Sequence, residues 1–106
     1  MYALSVYSSL IFEWDDAKSR RNLLERGFGF DHAAAIFIGP TLEAQDNRRD
    51  YGDVRVHAIG CAGDDILSVV YSDRGEVRRI ISARLTNKKE RKLWQSFIEH
   101  WGKSAE

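Results

Sequence analysis

A strand–turn–strand segment from Ile66 to Arg84 constrains the fold more than any other part of the chain. Ile66–Ser72 and Val77–Arg84 are both rich in β-branched residues, which favour strands. Residues 73–76 have the sequence Asp-Arg-Gly-Glu, and Gly75 can adopt the positive φ that a tight turn needs. We therefore expect an antiparallel hairpin against which the rest of the chain packs.

Helices are predicted before and after a group of strands. Asp15 can cap a helix over Asp16–Arg26 that ends at Gly27, and Asn87 with Glu90 forms a capping box for the last helix. The other predicted elements are strands at Leu10–Trp14, Thr41–Ala44 and Val54–Gly60, a second helix at Asp31–Ile38, and an apolar stripe on the last helix made of Leu93, Trp94, Phe97, Ile98 and Trp101. The order β-α-α-β-β-β-β-α predicts a single α+β domain over residues 1–106. Its antiparallel sheet has two N-terminal helices and one C-terminal helix, mainly on one face.

Several protein classes are disfavoured by composition. Cys61 is the only cysteine, so no internal disulfide can form, and the three scattered histidines do not suggest a metal site. Residues 1–10 lack the positive region and the apolar run of a signal or a membrane span. We expect a cytoplasmic protein with no metal, no cofactor and no membrane association.

Positive charge is concentrated in one short part of the chain. The formal net charge is zero, yet residues 74–92 contain eight basic and two acidic residues. A patch of this kind can bind phosphates locally even when the whole molecule is neutral.

The second strand of the hairpin contains several of these basic residues, although it is also expected to pack against the core. In a regular strand Arg78 and Arg84 would share one side and Arg79 the other, and neither side is cleanly apolar. Either the arginines lie at solvated strand edges, where they limit aggregation, or one sheet face binds anions. Arg55 on a neighbouring strand, with Arg48 and Arg49 in the polar loop before it, favours the second interpretation. The residues alone predict only a small α+β domain with a candidate anion-binding sheet.

From about Phe12 to Trp94 the chain resembles the BrnT family of toxins. The matching positions are Asp15, Lys18, Asn22, Gly27, Phe30, Ala33, Ala34, Phe37, Pro40, Arg55, Ile59-Gly60, Val69-Val70-Tyr71, Arg74-Gly75, Thr86, Glu90 and Arg91. The run Arg79–Arg84 is the most specific piece. The chain departs from the family pattern at Arg49, where histidine is common, and at Val54, where glutamate is common.

The resemblance implies a RelE-like fold and metal-independent endoribonuclease activity that arrests translation. It also implies a BrnA-like antitoxin with a ribbon-helix-helix end, through which alone the pair would contact operator DNA. RNA supplies its own nucleophile, the 2′-hydroxyl, and arginines suit the phosphate. We expect Arg55, Arg79 and Arg84 to converge as a phosphate clamp, Tyr71 to position or donate a proton, and His57 to act as a base. Flanking phosphates would be bound by Arg74, Arg78, Lys88, Lys89 and Arg91.

Two alternatives stay open at this level. The same patch would serve a non-catalytic nucleic-acid- or ribosome-binding module, or the chain could be an inert protein that only pairs with its antitoxin. Formation of products from RNA would identify an enzyme and exclude a module that only binds. Toxicity on expression without the antitoxin would exclude an inert pairing protein.

Overall fold

The computed structural model describes residues 2–7 and 10–104, which form a single mixed sheet with helices. The strands are β1 (Tyr2–Tyr7), β2 (Leu10–Asp15), β3 (Leu42–Gln45), β4 (Val56–Ala62), β5 (Asp65–Arg74) and β6 (Val77–Leu85). The helices are α1 (Asp16–Arg26), α2 (Phe30–Ala34), followed at once by a 3₁₀ turn (Ala35–Ile38), and α3 (Lys88–Ser104). The strand order across the sheet is β1-β2-β6-β5-β4-β3. The α+β class is therefore confirmed.

The prediction of a purely antiparallel sheet is wrong at one position. β2 pairs with β6 in parallel, with Ile11 opposite Val77 and Trp14 opposite Ile80. Strand β1, which the sequence pattern did not predict, pairs antiparallel with the outer side of β2. Because β1 occupies that side, β2 becomes an inner strand between the chain start and the last strand of the meander.

The local signals at helix ends are confirmed. The Asp15 carboxylate accepts a hydrogen bond from the Lys18 N–H at 3.1 Å and caps α1. Gly27 ends that helix with φ of 87° and donates its N–H to the Leu23 carbonyl. Asn87 and Glu90 form the predicted capping box, each side chain accepting from the other's backbone N–H at 2.9 Å.

The main core lies between the sheet and the helices that follow β2. Phe12, Leu67, Val69 and Ile80 point to this side of the sheet and are almost fully buried. We call it the helix-covered face. Gly60 belongs to it as well, and a Cβ there would lie 2.9 Å from the Ile36 Cβ, so glycine allows the 3₁₀ turn to approach the sheet closely.

The other side of the sheet, here the open face, is covered only at one end among the described residues. It carries His57, Ser68, Ser82 and Arg84, which alternate with the core residues of the same strands. Helix α3 contacts β4 at that end, where Trp94 is buried outside the main core. The rest of the predicted apolar stripe is less covered, with Leu93 51% and Trp101 53% exposed.

A β-bulge in β6 resolves the mixed character of this strand. Val70 pairs with Ser82 and Tyr71 pairs with Ile80, so Ile81 is the extra residue. The bulge reverses the alternation, and Arg79 therefore shares the open face with Arg84, whereas Arg78 lies on the helix-covered face. The expectation from regular alternation, with Arg78 beside Arg84, is wrong for this reason.

Candidate active site

A recess of the open face lies over strands β4, β5 and β6. It has a volume of about 500 Å³. We call it the central recess. Its polar lining includes Arg26, Arg48, His57, Ser68, Ser82 and Arg84. Strands β4, β5 and β6 supply the floor, and the loop after β3 and the end of α1 supply the walls.

A hydrogen-bonded network crosses the floor of the central recess. His57 Nε2 lies 2.5 Å from Ser68 Oγ and 3.4 Å from Glu90 Oε2. Ser68 Oγ also donates to Glu90 Oε2 at 3.4 Å. Arg84 donates to both oxygens of the same carboxylate, at 2.8 and 2.9 Å. One carboxylate therefore orients an imidazole, a hydroxyl and a guanidinium together.

Glu90 is well suited to hold this network because it is ionised and nearly buried. The side-chain hydrogen bonds from Arg84 lower the pKa of Glu90 from 4.5 to about 2 despite its burial. The residue is 8% exposed, whereas the Arg84 side chain is 44% exposed. The exposed part of Arg84 can therefore bind an anion in the recess, while the hydrogen bonds to Glu90 hold the guanidinium in place.

Replacing Glu90 by glutamine should make stability depend on pH in a defined way. The folded-state pKa of Glu90 lies below its ordinary value, so its contribution is present above about pH 4.5 and is lost as pH falls toward about 2. We expect Glu90→Gln to cost about 1 to 3 kcal/mol near neutral pH. Urea unfolding of both proteins across this range should show the difference shrinking on acidification, and a constant difference would contradict the assignment.

Two further arginines form the walls of the central recess. Arg48 donates two side-chain hydrogen bonds to Asp46, at 2.8 and 2.7 Å, and these hold the pKa of Asp46 at about 2. Arg26 reaches from α1 to the Asn22 Oδ1 at 2.8 Å and to the Ala83 carbonyl at 3.5 Å. The lining of the central recess therefore includes three arginines in addition to His57.

A second recess of about 180 Å³ is lined by Lys18, Arg55, Arg74 and Arg79, together with Asp15 and Asp53. We call it the basic recess. Arg55 Nε lies 3.2 Å from Asp53 Oδ1, and its guanidinium lies 4.1 Å from the centre of the Tyr51 ring. Four basic groups face two carboxylates here, so the local charge is positive.

The predicted convergence of Arg55, Arg79 and Arg84 at one spot is wrong. Arg55 and Arg79 line the basic recess, and Arg84 lines the central recess. The cause is structural: β4 begins at Val56 rather than Val54, so Arg55 precedes the strand and lies against Asp53 and Tyr51 instead of beside His57.

Tyr71 lies away from both recesses, on the helix-covered face. Its hydroxyl donates to Glu43 Oε1 at 2.5 Å, and burial followed by this hydrogen bond raises its pKa. Arg78 lies against the same ring at 4.0 Å and forms an ion pair with Asp73 at 2.8 Å. The geometry of Tyr71 and Arg78 supports a packing role and does not bring them to the arginines of the open face.

The basic residues of α3 are exposed at the start of the helix. Lys88, Lys89 and Arg91 line neither recess, and Arg91 donates to the Thr86 carbonyl at 2.5 Å. Of the residues predicted to bind flanking phosphates, Arg74 alone lines one of the two recesses.

Sequence reasoning missed Glu90, Ser68 and Arg26 as site residues. The capping box had placed Glu90 at the start of α3, but its contact with Arg84 depends on the turn from β6 into the helix. Ser68 interrupts the apolar run Ile66–Val70 of β5, a signal that could have marked the open face. Arg26 carried no signal, since only the fold brings α1 to the edge of β6.

The described residues contain neither a candidate metal cluster nor a candidate membrane span. No group of three or more potential metal ligands among histidine, cysteine, aspartate and glutamate occurs in this part of the chain. None of the described helices is both long and apolar enough to cross a membrane.

An α+β domain with an imidazole among arginines on an open sheet face has the features of a small protein that acts on phosphodiesters. A family model described as the ribonuclease toxin BrnT of type II toxin–antitoxin systems matches residues 14–90. The chain therefore belongs to the BrnT family, as its motifs had indicated. No curated relative matches it. Membership implies an antitoxin partner and an RNA target.

Proposed function

We propose that this toxin is a metal-independent endoribonuclease that cleaves RNA in the central recess and thereby arrests translation. The observation that carries the proposal is the network of His57, Ser68, Glu90 and Arg84 on the floor of that recess. It combines an imidazole, which can act as a general base, with a fixed, permanently charged donor for phosphate.

The network assigns a role to each nitrogen of His57. Because the Ser68 hydroxyl donates its hydrogen to Glu90, its oxygen accepts a hydrogen bond from the N–H at His57 Nε2, and Nδ1 then has the lone pair that a base needs. His57 would take the proton of the 2′-hydroxyl as that oxygen attacks phosphorus. The new bond closes a 2′,3′-cyclic phosphate, and the bond to the 5′-oxygen breaks as that oxygen takes up a proton from water, while His57 returns the proton of the 2′-hydroxyl to solvent.

The arginines of the central recess would stabilise the charge that builds on the phosphate oxygens. A well-placed donor of this kind lowers the activation free energy by about 3 to 4 kcal/mol. Arg84 is the best placed, because two hydrogen bonds to Glu90 fix its guanidinium before substrate arrives. Arg26 and Arg48 line the same recess and would add charge from its walls.

The remaining parts of the proposal follow from the family. A RelE-like fold is compatible with the mixed sheet and its three helices. We further propose that a BrnA-like ribbon-helix-helix antitoxin neutralises the toxin in the cytoplasm, and that the pair contacts operator DNA only through the antitoxin. The exposed Trp101 and Leu93 on α3 are apolar positions that such a partner could cover.

Cleavage in the presence of EDTA tests the metal-independent mechanism. Purified toxin, freed from its antitoxin, should cut RNA at an unchanged rate with excess chelator and yield 2′,3′-cyclic phosphate ends. Loss of activity that added Mg²⁺ restores would remove the mechanism. RNA binding without any product would instead favour a non-catalytic binding module.

A further inference from the structure

The basic recess has no part in the chemistry proposed for His57, yet its lining carries a net positive charge. Lys18, Arg55, Arg74 and Arg79 meet there from α1, the loop before β4, β5 and β6. Asp15 and Asp53 line the same recess, and Asp53 pairs with Arg55, so the cations outnumber the carboxylates by two. A surplus of cations drawn from four separate segments is relieved by an anionic ligand.

The two recesses lie on the same face of β6, at a separation that suits one nucleic-acid strand. Arg79 and Arg84 are five positions apart on this strand, which corresponds to roughly 15 Å. Their partners on β5, Ser72 and Ser68, lie on the open face as well. One phosphate group cannot reach both arginines, whereas two phosphates of one chain can.

Tyr51 connects the two recesses. Its hydroxyl donates to Asp46 Oδ2 at 3.4 Å, beside the central recess, and its ring lies under the Arg55 guanidinium of the basic recess. The Arg49 guanidinium lies 5.3 Å from the centre of the same ring, so Tyr51 holds arginines in place between the two recesses.

We propose that the basic recess binds a phosphate that flanks the scissile one on the same single-stranded RNA. The substrate is then a strand that spans both recesses, and the residues of the basic recess contribute to binding and not to bond cleavage. This inference rests on the proposed ribonuclease function, because it takes the scissile phosphate to lie beside His57.

The test compares binding and cleavage in a variant that should keep its fold. Lys18 and Arg74 are both exposed, so the double variant Lys18→Ala/Arg74→Ala should melt like the wild type. The matched control is Lys92→Ala, which removes an exposed charge of α3 outside both recesses. The probe is a fluorescein-labelled, 2′-O-methylated single strand of about ten nucleotides, which lacks the nucleophile and stays intact.

The double variant should bind this probe about tenfold more weakly, with a salt slope smaller by about 0.7 for each phosphate that is no longer neutralised. On cleavable RNA its KM should rise while kcat stays unchanged, whereas His57→Ala should lower kcat and keep the affinity for the probe. The proposal is overturned if probe affinity, salt slope and KM match those of Lys92→Ala, or if only binding of the antitoxin is weakened. A wild type that binds the probe in the expected way but cuts no RNA would instead remove the ribonuclease proposal and leave the phosphate-binding role of the basic recess supported.

Discussion

Replacing His57 by alanine should lower the rate of RNA cleavage by about 10²- to 10⁴-fold, the usual contribution of a general base. The imidazole lines the central recess beside Ser68 and Glu90, and no other histidine does so among the described residues. Because the His57 side chain is 32% exposed, its removal should change the melting temperature by only a few degrees. Single-turnover cleavage and thermal unfolding measure the two effects separately.

The matched control for this variant is His100→Ala. His100 is exposed on α3 and bonds to the Ser96 carbonyl of its own helix at 2.8 Å, so its loss should leave cleavage unchanged. Added imidazole should restore part of the activity of His57→Ala by entering the vacated space. Full cleavage by the variant would transfer the base role to another group and refute the assignment of His57.

Replacing Arg84 by alanine should lower cleavage by about 10²- to 10³-fold, the effect of removing one preorganised donor from a developing anion. Unlike the loss of His57, it should also lower the melting temperature. Glu90 would be left as a nearly buried carboxylate without its guanidinium, which costs several kcal/mol when no other cation replaces it.

A double variant separates the two consequences. Arg84→Ala/Glu90→Gln removes the charge that the single variant leaves unpaired, so most of the lost stability should return while cleavage stays low. Melting curves and initial rates of both proteins, measured side by side, provide the comparison. If cleavage returned together with stability, Arg84 would be a structural residue and the phosphate would have to be held by other cations.

Local chemistry accounts for the parts of the fold that the sequence could predict. The N-cap of α1 at Asp15, its end at Gly27 and the capping box of α3 are each set by a few neighbouring residues. The turn at Gly75 is of the same kind, since its φ of 60° favours glycine. In each case the preference for the local structure comes from residues that are close to one another in the sequence.

Pairings between distant segments could not be predicted in this way. The parallel pairing of β2 with β6 joins residues more than sixty positions apart, and nothing in either strand specifies its partner. The split of the arginines into two recesses has the same origin, because it depends on where β4 begins and where β6 is irregular. The residue types for an anion site were thus evident, but their grouping was not.

The site also depends on a residue with two tasks. Glu90 accepts from an orphan N–H group at the start of α3 and at the same time holds Arg84 and His57. Its capping role could be predicted from the spacing to Asn87. Its second role required knowledge of the turn at Thr86, whose hydroxyl donates to the Ile66 carbonyl and directs the helix across the open face.

The unpaired Ile81 has a consequence for how this protein can change over time. Ile80 and Ser82 on either side of it already pair with the consecutive residues Tyr71 and Val70. Loss of Ile81 alone would therefore remove the bulge and leave Ala83 and Arg84 on their present faces, whereas loss of Ile81 together with Ser82 would turn Ala83 outward and Arg84 toward the apolar interior. Relatives that keep this chemistry are therefore expected to have either four residues between Arg79 and Arg84, as here, or one fewer, but not two fewer.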